Sequence, residues 1–372
     1  MIMRRYSVIV AAVLLSVLFT SCREKAHKGR PTIGLVENIL AEKVAEESLI
    51  LKNIEARNVS GTIAVVGPSN LSYPLAMRFA GCDDFDNVDG RRISDQLPDF
   101  AGETIDMVLD EANFDYHSFV ASGDTDSLRA VTVRNLLAVL DSKCYSSVYD
   151  LDNTLQKKSS KAVLFPSPYM SAYGAFDVDT LLRSRGIKLP VIFPARKAFR
   201  TLLEKEGEEL CVAVLTDSII ASDLIHKKIF EEVSKEMGIS GAECKVFHSD
   251  TIDSVLDNVL RIYSQAGGSR CINAILVDDI HVYSSELKAS LEELAVARDA
   301  ESIAMRKLIA ADCRVIDTSE LSTEECYKAL RNNNLFTHEV AYPRVNGFVT
   351  AASPDGKAFK LVETRVNVSD KH

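Results

Sequence analysis

The sequence predicts an α/β protein of two lobes, each a parallel sheet flanked by helices. Three observations predict it. Short apolar runs alternate with amphipathic stretches along most of the chain. Those runs are continuous, as strands buried on both faces require. They end in turn residues, the place where open α/β sheets bind their ligands.

The first lobe is expected over residues 32–205. TIGLV (32–36) is its opening apolar run. Residues 41–57 follow with helical spacing of Val44, Leu49, Leu51 and Ile54. GTIAVVGPSN (61–70) reads as a strand ending at Ser69 and Asn70, and SFVASG (118–123) as a further strand. Residues 126–142 have helical spacing with Asp126 as N-cap. KAVLFPSP (161–168) is a strand ending at Ser167, 176–186 a helix stopped by Gly186, and LPVIFP (189–194) a strand. Residues 71–160 form a long insertion. The second lobe is expected over 206–372. Its strands are CVAVLTDS (211–218), CKVFHSD (244–250, ending at Ser249 and Asp250), INAILVDDI (272–280) and CRVID (313–317). Its helices are 221–238, ending in Gly238, 251–268, capped by Asp250 or Thr251, and one helix or a pair over 284–311.

Composition narrows the function. The chain has 372 residues and a formal charge of −10. An acidic chain lacks the basic face that nucleic acid requires, so no nucleic-acid partner is expected. Eight cysteines occur without any C-x-x-C, which argues against zinc. Cys211 and Cys271 open apolar runs and read as small core residues. Cys313 and Cys326 could form a disulfide, which spacing alone does not show.

The N-terminus carries an address. Arg4 and Arg5 precede an apolar stretch (7–19) too short for a comfortable bilayer span, and Thr20 and Ser21 precede Cys22. The arrangement resembles the signal peptide and lipobox of bacterial lipoproteins. That resemblance implies a leader over 1–21, lipidation of Cys22, a polar tether over 22–31 and a body held at a membrane of the cell envelope, outside the cytoplasm. Several acyl chains on one cysteine would anchor it firmly.

VYDLDNTL (148–155) raises an enzymatic alternative. It resembles the nucleophile motif of haloacid dehalogenase phosphatases. There Asp150 would attack phosphorus, Asp152 act as acid and base, and Thr216 hold the phosphate. Lys235 or Lys245 would balance charge, and Asp278 and Asp279 would bind Mg²⁺. Against it, the lead-in CYSSVY (144–149) is polar where the motif needs an apolar strand. The acidic run 82–103 echoes a calcium loop, but Val88 stands at a ligand position. It reads as a solvated loop, with a different type of calcium loop left open. No G-x-S-x-G, Walker loop or G-x-G-x-x-G occurs, and no motif requires a cofactor.

The strand–helix order resembles the type I periplasmic binding proteins of the branched-chain amino-acid receptor class. PTIGLV then GTIAVVGPSN matches their opening, KAVLFPSPYMSA then LPVIFPA their next strands, and LCVAVLTDS through INAILVDD the start of their second lobe. The resemblance implies a non-catalytic cleft that closes on a small solute, with a crossing near 195–203. Ligand contacts would come from Ser69, Asn70, Ser167, Tyr169 and Tyr173 in the first lobe, and from Asp217 and Ser218 in the second. An envelope protein partner, or a scaffold with a degenerate cleft, remains an alternative.

Overall fold

The computed structural model describes residues 30–54, 58–113, 115–248, 255–279, 281–337, 339, 341–353, 356 and 358–366. The expected leader, Cys22, most of the expected tether, and Ser249, Asp250 and Thr251 lie outside the described residues. No described helix is long and apolar enough to cross a membrane.

Helices α1 (Gly34–Leu40) and α2 (Ala45–Lys52) come first. The apolar run 32–36 therefore feeds a helix and is not the expected strand. Val36 and Ile39 are its buried positions. The segment is tied down by Asp177, which accepts from the Ile33 amide at 3.2 Å and from Arg129 Nε at 2.7 Å.

Strand β1 (Thr62–Gly67) is buried at all six positions and leads into α3 (Ser69–Gly81). The expected long insertion contains a strand, β2 (Thr104–Leu109). Residues 118–123 are largely helical: α4 (Tyr116–Ala121) replaces the expected strand. Helix α5 (Thr125–Leu140) is capped by Asp124, which accepts from the Ser127 amide, so Asp126 lies inside the first turn. A hairpin, β3 (Lys143–Tyr145) and β4 (Thr154–Gln156), precedes β5 (Ser160–Leu164). Then come α6 (Pro168–Tyr173), α7 (Ala175–Ser184), the short β6 (Val191–Ile192) and α8 (Pro194–Glu206). Helix α8 covers the expected crossing and carries the chain to the second sheet.

The second sheet holds β7 (Cys211–Thr216), β8 (Glu243–His248), β9 (Ile272–Asp278) and β10 (Ile309–Asp317) in the order β10-β9-β7-β8, all parallel. Its helices are α9 (Ser218–Ser222), α10 (Ile225–Met237), α11 (Val255–Gln265), α12 (Ser284–Val296) and α13 (Ala300–Arg306), so 284–311 holds a pair. Helix α10 buries Ile225, Ile229, Phe230 and Val233 at helical spacing. Gly238 ends it at φ 73°, a left-handed conformation that glycine adopts without a Cβ penalty.

Helix α14 (Thr318–Asn332) leaves the second sheet, and β11 (Arg344–Ala352) and β12 (Phe359–Thr364) join the first. That sheet is mixed, in the order β4-β3-β12-β11-β2-β1-β5-β6. The C-terminal strands thus belong to the first lobe's sheet, although 206–372 was expected to form the second lobe. Two buried polar contacts help hold them there. Asp106 on β2 accepts from Thr62 Oγ1 on β1 and from Asn346 Nδ2 on β11. Lys161 on β5 pairs with Glu103 at 2.6 Å and donates to the Leu335 carbonyl, while Glu103 accepts from the Thr337 amide. Buried charges are tolerated when paired and hydrogen-bonded in this way.

One apolar core runs through both sheets. It joins Val66, Val163 and Phe165 to Val212, Val214 and Ile229 through Phe199, Leu202 and Leu203 of α8. Cys326 packs in the remaining first-sheet core and Cys313 against the second sheet's own core. Both are free thiols, so the possible disulfide between them is not formed. Cys211 is buried as expected, but Cys271 is exposed just before its strand.

Candidate functional site

The carboxyl ends of β1 and β5 face those of β9 and β10 across a cavity of about 350 Å³. Its first-lobe wall is Leu71, Pro74, Leu75 and Arg78 of α3 with Pro166 and Pro194. Its second-lobe wall is Val277, Asp278 and Asp279, then Val282 and Tyr283 with Ser284 and Ser285 at the start of α12, and Asp317, Thr318, Ser319, Glu320 and Ser322 at the start of α14. The first wall is almost entirely apolar, and proline has no amide hydrogen to offer. The second carries four carboxylates: Asp278, Asp279, Asp317 and Glu320.

Those carboxylates differ in what holds them. Asp278 has both oxygens engaged, Oδ2 at 2.6 Å from His226 Nε2 and Oδ1 accepting from Thr318 Oγ1 at 2.6 Å. It joins β9, α10 and α14 beneath the cavity. Asp317 caps α14 through one oxygen, which accepts from the Ser319 amide and hydroxyl. Asp279 accepts from the His281 amide at 2.9 Å through Oδ1. Glu320 is half-buried and lies 3.7 Å from Lys288 Nζ. The lining cation, Arg78, is paired with Asp84 at 3.0 Å. The electrostatic balance of the cavity favours a positive group.

On another flank of the crevice the lobes touch directly. Tyr169 Oη donates to Asp223 Oδ2 at 2.6 Å, and His117 Nδ1 lies 2.7 Å from the same oxygen. Asp223 belongs to the second lobe, while His117 (α4) and Tyr169 (α6) belong to the first. Burial raises the Tyr169 phenol, which remains a donor. The hydrogen bond and charge of Asp223 raise the His117 imidazole above its usual 6.5.

The expected ligand contacts fall mostly on this flank. Tyr173 lies under Lys228 of α10, with the ammonium 5.0 Å from the ring centre. Asp217 caps α9 by accepting from the Ile219 amide at 2.8 Å, and Ser218 is exposed beside it. Ser167 is buried and its hydroxyl has no partner. Ser69 and Asn70 open α3, one turn before the cavity-lining residues. Among the residues named from the sequence, Asp278 and Asp279 line the cavity, and they were named for the phosphatase alternative.

That alternative does not assemble. Asp150 and Asp152 lie at largely exposed positions between β3 and β4, at one edge of the first sheet. Thr216 and Asp278 are register partners in the second sheet, and Lys235 and Lys245 lie on α10 and β8. No strand of the expected apolar kind precedes Asp150. The acidic run 82–103 uses its carboxylates on its own amides. Asp83 accepts from Asp95 and Gln96, Asp86 from Val88 and Asp89, and Asp99 from Asp84 and Phe85. Among the described residues no three His, Cys, Asp or Glu side chains gather as a metal site.

The cavity residues that sequence reasoning missed had a local signal. CRVIDTSEL (313–321) is a strand ending in an N-cap aspartate with Glu320 three positions later, a helix-start pattern at a strand's carboxyl end. Leu71, Pro74 and Arg78 lie within three turns of the strand end already singled out.

No family model matches the chain, and no curated protein matches it. Solved structures similar to it include glutamate racemase RacE1 from Bacillus anthracis, 13% identical, covering 80% of this chain and 91% of that one with a TM-score of 0.42. Glutamate racemase from Francisella tularensis, in complex with D-glutamate, is 15% identical over 80% and 90%, with a TM-score of 0.43. A LacI-family regulator from Enterococcus faecium with bound ribose is 11% identical over 77% and 95%, with a TM-score of 0.24. At these scores the likenesses assign no family, and the two-sheet α/β architecture rests on the strand order described above.

Proposed function

We propose that this chain is a non-catalytic binding protein of the bacterial cell envelope, anchored through lipidated Cys22, that takes a small solute with a cationic group and an apolar body. The observation that carries this reading is the cavity of about 350 Å³ between the strand ends of the two sheets, carboxylate-rich on one wall and apolar on the other. Ligands of α/β sheets bind at such strand ends. An amine would pair with Asp279 and Asp317, and its apolar part would lie against Leu71, Pro74 and Pro166. The exposed ring of Tyr283 stands at the same cavity, where a cation over an aromatic face is attracted. Location at the envelope rests on the N-terminal sequence alone.

The test is thermal melting of the full chain with a panel of primary amines, each beside the alcohol and carboxylate of the same carbon skeleton. Binding to the folded state at a hundredfold excess over Kd stabilises it by about 2.7 kcal/mol. Amines should raise the melting temperature above their matched alcohols. No response to any amine would sink the cationic assignment, and a response to carboxylates alone would reverse its sign.

A further inference from the structure

The segment from Asp217 to Leu224 differs from the rest of the interlobe boundary. Helix α9 within it buries none of its residues, and Ile219 and Leu224 are more than half exposed. The shared apolar core does not hold it down: of its residues only Ile220 packs against that core, and that one is partly buried. Its polar hold on the first lobe is the pair of contacts at Asp223. Left-handed backbone flanks that hold on both sides. Leu224, next to Asp223, has φ 55°, and Asp115, at the start of the His117 helix, has φ 78°. A bulky side chain in the left-handed region is a genuine outlier, and such conformations persist where surrounding contacts impose them.

We propose that residues 217–224 form a strap across the crevice, fastened to the first lobe by Asp223 through Tyr169 and His117, and able to detach while the shared core keeps the lobes joined. This goes beyond solute binding in the cavity and needs no ligand to be tested. The fastening responds to pH. The groups facing the imidazole are Asp223 from the second lobe, Tyr169 from α6 and Asp115 from its own helix start, with Asp217 near Tyr169. The charged ones are carboxylates, and they favour the imidazolium. A histidine raised in the folded state contributes its extra hold in full below 6.5 and loses it as pH rises through the raised value. The strap is therefore tightest in mild acid.

The experiment is amide hydrogen exchange on the full chain, corrected for the intrinsic pH dependence of exchange, with NMR titration of the His117 ring. Asp223→Asn should bring the His117 titration back towards 6.5 and speed exchange in 217–224 and 116–121 by about tenfold. Tyr169→Phe removes one oxygen and keeps the ring, so it should speed exchange in 217–224 while leaving His117 elevated. Unchanged exchange of 217–224 in both variants overturns the strap. Acceleration spread equally over β1 and β5 also overturns it, because the contacts would then serve the whole fold.

Discussion

Two flanks of one crevice use the same local ingredient and end differently. On the strap flank, Asp223 follows a second-sheet strand and helix turn and meets donors from the first lobe, a phenol and an imidazole. On the cavity flank, Asp278, Asp279 and Asp317 also follow strand ends, but the facing wall offers Leu71, Pro74, Pro166 and Pro194, and the cation on it, Arg78, is already paired with Asp84. A carboxylate that meets donors makes a closed contact. Carboxylates that meet prolines and a leucine leave a space, because neither side can satisfy the other. The solute-binding reading rests on this mismatch.

The comparison breaks most severely at Asp278, which belongs to the cavity wall yet is as fully bonded as the strap contact. Asp278→Ala leaves His226 and Thr318 without their partner, both in largely buried positions. Losing both bonds should cost about 3 kcal/mol of unfolding free energy, read as a lower urea midpoint with an unchanged slope. A loss under about 0.5 kcal/mol would be that of an ordinary surface site and would mean that Asp278 does not hold the wall together.

A sharper change gives the apolar wall a donor. Leu71→Lys places an ammonium opposite the carboxylates and should turn the cavity flank into a second closed contact. Amine-induced stabilisation should disappear in melting experiments, with the ligand-free stability within about 0.5 kcal/mol of the parent. Undiminished amine response in this variant would place the amine elsewhere.

The smallest effect is expected at Asp279→Asn, which removes one of several carboxylates and leaves the cavity's shape alone. Affinity for a responding amine should fall about tenfold, equal to about 1.4 kcal/mol, by isothermal titration. Salt should weaken the parent's binding more than the variant's. Equal salt dependence would show that Asp279 takes no part in the attraction.

Much of the architecture was legible locally. The parallel strands β1, β5, β7 and β9 stand where continuous apolar runs predicted them, because a strand buried on both faces needs apolar residues throughout, while β8 and β10 also stand where expected but form the edges of the second sheet and are mostly half-buried. Strands β2 and β11 were not recognised. Each carries a polar residue, Asp106 and Asn346, that looks unsuited to a core until the two are seen bonded to each other. The run 118–123 reads as a strand and the family resemblance implies one at 32–36, yet they form or enter helices, since short apolar runs carry no period that separates the two.

The site shows the same division. Polar strand ends were visible in the chain, and Asp278 and Asp279 were among them. Which ends face a void and which meet a partner was not visible. That depends on the return of the chain through α14 to the first sheet, which brings Asp317 and Glu320 to the cavity, and on the packing of α6 against α10, which places Tyr169 beside Asp223. The sequence by itself determined which segments could be buried, because burial depends on the apolar character of each short run. The pairing of carboxylates with donors or with prolines was decided by tertiary structure alone, because it depends on surfaces that are distant along the chain and meet only after both sheets have formed.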